Sequence, residues 1–331
     1  MALRRKRSDG KWVAAFVVFV LIGLGLFYYA TQKIAYNWRW NRIPIYFVYE
    51  DVIEITSPLD GEVDDISTAG NITTVVVKSD DGTESESYEV PTDGLVVSDG
   101  EMISPGDVLG TYTEWKAGLL IIGLWITLKL SIIATIFGIL IGTISGLARI
   151  SANPAFRWTA MSYVELIRGS PLLVQILIWY YVIGTLVNDL LAAYGIGQIP
   201  AFWYAVASLA CFAGAYVSEI VRAGIQSIHR GQMEAARSLG MSYPKAMWYI
   251  ILPQAMRRIL PPLAGQFISL IKDSSLLGVI AIRELTKAAR EAVTASLQPF
   301  EIYFVLAALY LVLTFTLSMA VQYLEKRMKI Q

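Results

Sequence analysis

The amino-acid sequence predicts an all-α polytopic membrane protein with a small β-rich domain inserted on the extracytoplasmic side. Of its 331 residues, 55% are hydrophobic and only 16% are charged, which is too apolar for an ordinary soluble domain. Six apolar runs are long enough to form membrane-spanning helices. Between the first two runs lies an acidic stretch with the pattern of short β-strands.

The composition argues against several other classes of function. Basic and acidic residues balance at 27 each, so the net charge does not attract the chain to nucleic acid. The single cysteine, Cys211, and the single histidine, His229, argue against a disulfide framework and a Cys/His metal site. A phosphate-binding loop of the form GxxxxGKS or GxxxxGKT is absent from the sequence. We therefore expect no cofactor, no metal and no catalytic site in this chain.

The first transmembrane helix is predicted at residues 12–35. Residues 1–11 carry five basic side chains, and residues 12–30 form a run of 19 without a charge. The run could be a signal peptide, but Tyr28 and Tyr29 stand where small cleavage-site residues would be expected. The basic N-terminus is predicted to stay in the cytoplasm.

Residues 36–114 are predicted to form an extracytoplasmic β-domain. The stretch 31–117 holds 17 of the 27 acidic residues and only five basic ones. Its β-branched runs are broken by Asp-Gly pairs, which are hairpin signals, at 60–61, 81–82, 93–94 and 99–100.

Two segments of this domain, SPLDGEVDDI and PTDGLVVSDGEMISPGDVLG, resemble the barrel-sandwich folds of biotinyl and lipoyl domains. The lysine that such domains modify has no clear counterpart, because Lys78, near an expected hairpin tip, is a poor candidate. A structural or docking role is therefore favoured.

The remaining apolar runs predict a core of five spans within residues 115–328. The spans are placed at 118–147, 160–187, 201–225, 259–282 and 299–324. A cytoplasmic N-terminus then puts the loop 226–258 and the C-terminus inside, where basic residues are frequent. The outer segment 283–298 is an exception with three basic residues, and its spacing predicts a short amphipathic helix.

One predicted span contains Gly138, Gly142 and Gly146 at intervals of four residues. Small residues at this spacing allow two helix backbones to approach closely. We predict that these glycines pack against a neighbouring span.

Two Glu-x-x-Arg pairs occur near the cytoplasmic ends of spans: Glu165 with Arg168, and Glu219 with Arg222. At this spacing the two side chains share a helix face and can form an ion pair. The pairs are either ordinary ones whose arginines extend to water, or part of a translocation path. Pro171, which follows the first pair, should bend or restart the helix.

The stretch LIKDSSL places Lys272, Asp273 and Ser274 in an apolar run. Charges in such a run are costly unless they face protein or water. The three residues are candidates for the lining of a translocation path, or for a polar contact between subunits.

The stretch EAARSLGMSYPKAMWYIILP, residues 234–253, predicts two short helices on the cytoplasmic side. Glu234 opens the first, and Gly240 can adopt the left-handed conformation that ends it. Ser242 suits the N-cap of the second helix, and Pro244 suits its first turn. The final proline ends the apolar tail or turns it toward the bilayer. Capped helices with an Ala-Ala face indicate docking against a partner.

Four stretches together resemble a known family. GQMEAARSLGMSYPKAMWYIILPQAMRRILPPL resembles the EAA motif of the membrane subunits of type I ABC importers. YVELIRGSPLLVQ, EIVRAGIQSI and IKDSSL resemble the polar amino acid permease branch, which serves amino acids such as His, Glu, Gln and Arg. The resemblance covers about residues 115–328. His229 departs from it, because proline is common at that position.

This resemblance implies a MetI-like permease fold and a permease subunit of an ABC importer for polar amino acids in the bacterial plasma membrane, with both termini cytoplasmic. The implied partners are a separate ATPase subunit, an extracytoplasmic amino acid-binding protein and a second permease subunit, identical or related. By position, the residues implied to couple to the ATPase are Gly231, Glu234, Ala235, Ala236, Gly240 and Pro253.

Two alternatives remain. The chain could be a membrane-anchored adaptor or efflux component that uses the outer β-domain, although no heptad run for a coiled coil occurs. A membrane-embedded enzyme would need a catalytic set, and none can be assembled around the single histidine.

Overall fold

The computed structural model describes residues 9–81 and 83–329. The basic cluster at residues 1–11 therefore lies largely outside the described residues. The chain divides into two compact units, with the boundary between Ile43 and Pro44.

The described residues form helices and strands in a fixed order. The helices are α1 (Asp9–Lys33), α2 (Leu119–Arg149), α3 (Pro154–Gly169), α4 (Leu172–Ala193), α5 (Ala201–Gln226), α6 (Arg230–Ser238), α7 (Tyr243–Ile280), α8 (Leu285–Ser296) and α9 (Pro299–Lys329). The strands, all between α1 and α2, are β1 (Val48–Thr56), β2 (Gly61–Ala69), β3 (Ile72–Ser79), β4 (Ser85–Pro91), β5 (Met102–Ile103) and β6 (Val108–Ala117).

Six helices in the described part of the chain are long and apolar enough to cross a membrane: α1, α2, α4, α5, α7 and α9. This number agrees with the prediction from the sequence. Two of the predicted boundaries are wrong.

The span predicted at 160–187 begins too early. The chain between α3 and α4 is extended at Ser170, because a residue before proline avoids the helical conformation. The side-chain amide of Gln175 donates to the backbone oxygens of Ile167 (2.7 Å) and Ser170 (3.1 Å). These bonds provide partners for carbonyl groups at the end of α3. The helix therefore restarts as predicted at Pro171, and α4 alone is the span.

The span predicted at 259–282 begins too late. The helix runs from Tyr243 to Ile280, so the expected separate second short helix is the first part of a span. A wide π turn at Met247–Ile251 lies just before Pro253, which has no N–H to donate to the preceding turn. Pro253 therefore lies within α7 and does not end it.

The core of the membrane region is the contact between α2 and α5. A Cβ atom added at Gly138 would lie 2.9 Å from the Cβ of Ala213, and one added at Gly142 would overlap the side chain of Val217. These contacts advance along both helices in the same direction, so α2 and α5 are parallel. The predicted packing role of the glycines is confirmed.

Helix α7 completes this core by packing antiparallel to α5. Near the start of α5, Ala205 and Leu209 share a buried cluster with Leu277. Near its end, Val221 shares another with Ile259. Because α5 has contacts on several sides, 67% of the residues in its 18-residue apolar stretch are buried. The corresponding value is 0% for α1 and α9.

The residues between α1 and α2 form an antiparallel sheet in the order β4-β3-β2-β5 and a two-stranded ribbon of β1 and β6. A buried cluster of seven apolar residues lies between them: Val63, Val75, Val77, Val90, Val97, Ile103 and Leu109. The β-rich region is thus present, and its extracytoplasmic position stays a prediction.

The Asp-Gly pairs only partly mark the turns of this region. Gly100 has a φ of +77° in a turn, as predicted, but the β2–β3 turn uses Gly70 (φ +68°). Gly61 begins a strand and leaves no room for a Cβ beside the backbone of Lys78. The pair at 81–82 lies partly outside the described residues.

Lys78 lies in β3, in register with Glu62 and Ser85 on the two neighbouring strands. Lys78 is one residue before the end of β3 and pairs with the first residue of β4, so it lies beside the β3–β4 turn, near a hairpin tip as expected. A structural or docking role for the region stays a prediction.

Helix α8 confirms the short helix expected at 283–298. Its N-cap is the fully buried Glu284, whose carboxylate accepts bonds from the backbone N–H groups of Thr286 and Lys287, both at 2.7 Å. Burial raises the pKa of the Glu284 carboxyl. Ala288 packs closely on Gly123, so α8 lies against α2 and is not isolated at the membrane surface.

We expect Gly142→Ala to lower the free energy of unfolding by about 1–3 kcal/mol, because the new methyl group forces α2 away from α5. Thermal unfolding of the purified chain in detergent measures the change. Gly25→Ala in α1 is the matched control, since nothing lies within 4 Å of an added Cβ there. Equal destabilisation by both substitutions would contradict the packing role.

Candidate functional site

The first candidate site is the short helix α6 and the turn that follows it, residues 229–242, here called the knob. The helix begins four residues earlier than predicted, because His229 forms its N-cap. The ring Nδ1 of His229 accepts a hydrogen bond from the backbone N–H of Gly231 (3.1 Å). Glu234 therefore lies within α6 and does not open it.

The turn after α6 confirms the expected role of Gly240. Its φ is +83°, a left-handed conformation that favours glycine. The backbone N–H of Met241 donates to the oxygen of Ala236 (3.1 Å), which closes the end of the helix. Ser242 occupies the next N-cap position, but its side chain makes no capping bond there.

The knob has an inner and an outer surface. Ala236 is 4% exposed and Met233 packs against the apolar cluster below α6, so these side chains attach the helix to the core. Glu234 and Ala235 are exposed, and Leu239 is 84% exposed. The outer surface thus presents a charged side chain, Glu234, and a strongly exposed apolar side chain, Leu239, beside a tight turn. Sequence reasoning missed Leu239, although an apolar residue just before the turn glycine could have indicated it.

The other predicted coupling residues flank this surface. Gly231 lies in the first turn of α6. Pro253 is exposed on α7, and the side chain of its neighbour Gln254 donates to Gln232 of α6 (3.3 Å). The tertiary structure thus brings all six predicted residues to one region, with Ala236 in a supporting position.

The second candidate site is a cavity of about 460 Å³ formed by α3, α5 and α7. It is lined by Arg168, Tyr216, Glu219, Ile220, Ala223, Gly224, Ser227, Arg258, Pro262 and Gln266. Its volume is in the range of small-molecule sites.

Glu219 is the centre of an ion-pair network at this cavity. Its carboxylate accepts from Arg222 on the same helix (Nη2 to Oε1, 2.6 Å) and from Arg149 at the end of α2. The Glu219–Arg222 pair is the one predicted from the sequence, whereas Arg149 was not expected to join it. The network thus clamps α2 to α5 at this end of the core.

The cavity carries an excess of positive charge. The guanidinium of Arg168 lies 5.4 Å from the centre of the Tyr216 ring. Arg258 donates to the backbone oxygen of Ser227 (2.6 Å). Within the part of the chain that the structure describes, neither Arg168 nor Arg258 forms an ion pair, and Glu219 already has two other arginine partners.

The remaining path candidates lie elsewhere. Glu165 is exposed and makes no ion pair with Arg168 among the described residues. Ser274 is buried and donates to the backbone oxygen of Ile271 (2.7 Å), which satisfies its hydroxyl group. Lys272 is exposed and Asp273 is half-buried near the end of α7. These residues do not line the cavity.

Sequence reasoning also missed Lys129, which is exposed in the first half of α2. Its ammonium lies 5.3 Å from the centre of the Phe202 ring. Lys129 is ten residues after Leu119, or about 15 Å along this 31-residue apolar helix, so it lies well inside the predicted span. A charge at this depth should face protein or water. Because the sequence around Lys129 is strongly apolar, the charge was not recognised as a candidate functional residue.

Residues 138–330 match the protein family described as "Binding-protein-dependent transport system inner membrane component". The glutamine transport system permease protein GlnP of Escherichia coli (strain K12) is 39% identical over 217 residues, which cover 65% of this chain and 96% of that protein. The L-cystine transport system permease protein TcyB of Bacillus subtilis (strain 168) is 38% identical over 231 residues, which cover 68% of this chain and 95% of that protein.

Solved structures show the same similarity. A chain in the crystal structure of an amino acid ABC transporter with histidines is 42% identical, with a TM-score of 0.56 over 63% of this chain and 94% of that chain. A chain of the MetNI methionine ABC transporter in inward-facing conformations shares the fold at 19% identity, with a TM-score of 0.53 over 63% of this chain and 96% of that chain.

Proposed function

Because the chain belongs to the family of binding-protein-dependent transport system inner membrane components, we propose that it is the permease subunit of an ATP-driven importer of polar amino acids. Two permease relatives at 38–39% identity are named for glutamine and L-cystine transport, which supports an amino acid as substrate. The chain is a multi-pass inner membrane protein with six apolar helices among its described residues. A separate ATPase subunit hydrolyses ATP.

The observation that carries this proposal is the direct connection between the knob and a membrane span. Helix α6 is followed by the tight turn at Gly240, and only two residues separate Gly240 from Tyr243, where α7 begins. Helix α7 then continues for 38 residues, to Ile280. A displacement of the knob is therefore passed to the membrane core without an intervening flexible loop.

In this mechanism the ATPase binds the outer surface of the knob. Glu234 offers a charge, Ala235 permits close approach, and Leu239 offers an apolar anchor. Opening and closing of the ATPase then tilts α7 as a rigid body, and the path opens alternately to the two sides of the membrane.

The cavity beside Glu219 supplies part of the translocation path. An amino acid carries a carboxylate that loses hydration when it leaves water, and Arg168 and Arg258 can replace that hydration. Lys129, Lys272 and Asp273 lie outside this cavity, toward the ends of α2 and α7 at the other side of the membrane. Because Lys129 is exposed within a membrane span in one subunit, a second permease subunit or a water-filled path has to cover it.

The β-rich region is assigned to the extracytoplasmic side, and both termini to the cytoplasm. The family match begins at residue 138, so this region is an addition to the permease core. A soluble binding protein delivers the amino acid from outside, and the β-rich region provides a docking surface for it. The segment 48–117 holds 17 acidic residues against two basic ones, which favours a partner with a basic face.

We expect Gly240→Val to abolish uptake and co-purification of the ATPase, because a β-branched residue is strained at a φ of +83°. Gly240→Asn is the matched control, since asparagine tolerates this conformation and an added Cβ has open space there. Amino acid uptake and subunit pull-down measure both variants. Normal coupling in Gly240→Val would contradict the role of the knob.

We expect Arg168→Gln to weaken uptake about 10–100-fold through a higher KM, because a charge-assisted bond to the substrate carboxylate is lost. The measurement is uptake of glutamine and L-cystine into proteoliposomes that contain the ATPase. Arg157→Gln is the control, since Arg157 is on the same helix but outside the cavity. If both variants have the same KM as the original protein, the cavity does not bind the carboxylate.

We expect a cysteine at position 78 to react with a membrane-impermeant maleimide in intact cells, while one at position 237 stays unlabelled. Both are introduced into a Cys211→Ser background, as Lys78→Cys in β3 and Arg237→Cys in α6, at exposed positions. Permeabilised cells, in which both sites should react, control for reactivity. Labelling of position 237 from outside would overturn the orientation of the knob.

A further inference from the structure

The segment that follows α1, residues 34–43, combines aromatic and basic residues and is called the juxtamembrane segment here. It contains Tyr36, Trp38 and Trp40, together with Arg39 and Arg42. No acidic residue occurs in the sequence between Asp9 and Glu50, and Lys33 ends α1 with a third positive charge. Such a local excess of basic residues at the end of a span opposite to the N-terminus is unusual.

The end of α1 directs this segment back along the helix. Ala35 adopts a left-handed conformation, with a φ of 51°. The backbone N–H of Tyr36 donates to the oxygen of Thr31 (3.0 Å), a bond that closes the helix end as in a Schellman motif. The chain therefore reverses at Ala35 and does not continue away from the membrane.

The aromatic side chains hold this reversed geometry. The ring of Trp38 lies 6.3 Å from the ring of Phe27, and Tyr36 contacts Trp38 edge-on at 5.2 Å. Phe27 is six residues before Lys33, which is about 9 Å along a helix. Trp38 is thus placed beside the last turns of the span, at the depth where hydrocarbon gives way to headgroups. Trp40 stacks on Trp38 with 5.6 Å between ring centres.

We propose that the juxtamembrane segment binds anionic phospholipid headgroups at the membrane surface opposite to the N-terminus. The aromatic rings occupy the interfacial layer that tryptophan and tyrosine prefer. Arg39, Arg42 and Lys33 then lie at headgroup level, where each positive charge attracts an anionic lipid phosphate. Continuity with a membrane span and the lack of acidic residues in the sequence between Asp9 and Glu50 favour lipid over a protein partner as the occupant.

The test uses the full chain with Cys211→Ser and Asn41→Cys, carrying a fluorophore at the exposed position 41. The chain is reconstituted in phosphatidylcholine vesicles that contain a small fraction of spin-labelled phosphatidylglycerol or spin-labelled phosphatidylcholine. We expect the phosphatidylglycerol analogue to quench preferentially. Arg39→Gln and Arg42→Gln should each lower the relative association constant about fivefold, the value for loss of one basic residue near an anionic surface.

Lys78→Gln with Lys116→Gln is the matched control, because it removes two positive charges from the β-rich region and should leave the preference unchanged. Equal quenching by the two lipid analogues in the original protein would overturn the proposal. Insensitivity of the label to both analogues would also overturn it, and would assign the segment to a protein contact. Inorganic phosphate, added as competitor, should not reduce the preference.

Discussion

The close contact between α2 and α5 positions the other parts of the membrane core. The glycines at 138, 142 and 146 let the two backbones approach, and Val221 of α5 fills the space left by the last of them. Three residues beyond Gly146, Arg149 then meets Glu219. The ion-pair network at the cavity is thus a consequence of helix packing. A displacement of α2 would change both the contact between α2 and α5 and this network.

The second constraint is the continuity of α7. This helix contains Pro253, Pro261 and Pro262, yet it remains continuous. A π turn precedes Pro253, and the other two prolines lie inside the helix without breaking it. Its first turn belongs to the surface next to the knob, and its middle packs on α5 through Ile259. One element thus joins the proposed ATPase contact to the proposed path, which is the physical basis for coupling without any chemistry in this chain.

In the N-terminal part of the chain, basic and acidic residues are concentrated in two different segments. Basic residues accumulate at the juxtamembrane segment, and acidic residues accumulate in the β-rich region. In the first, aromatic contacts and a left-handed Ala35 arrange the charges beside the end of a span. In the second, a buried cluster of valines leaves the acidic side chains at the surface. The same stretch of sequence therefore offers one surface suited to lipid and another suited to a basic protein.

Four features were predictable from the amino-acid sequence: the number of apolar helices, the β-rich region, the packing role of the glycines and the left-handed turn at Gly240. These features depend on local composition, on helical spacing or on the conformation of one residue. The sequence could not separate α3 from α4 at the correct place, since apolar content alone extended the span across Ser170. It also left open whether Pro253 ends the apolar tail or turns it toward the bilayer, because proline is a local signal and the π turn that precedes it is not.

The pairing of charged residues, in contrast, follows from how the helices pack. Arg149 and Glu219 are 70 residues apart, and their pairing depends on the parallel approach of α2 and α5. The same holds for the burial of Ala236, the exposure of Leu239 and the separation of Ser274 from the cavity. The physical reason is that burial and ion pairing at a given residue depend on neighbours distant in sequence, which no local pattern encodes.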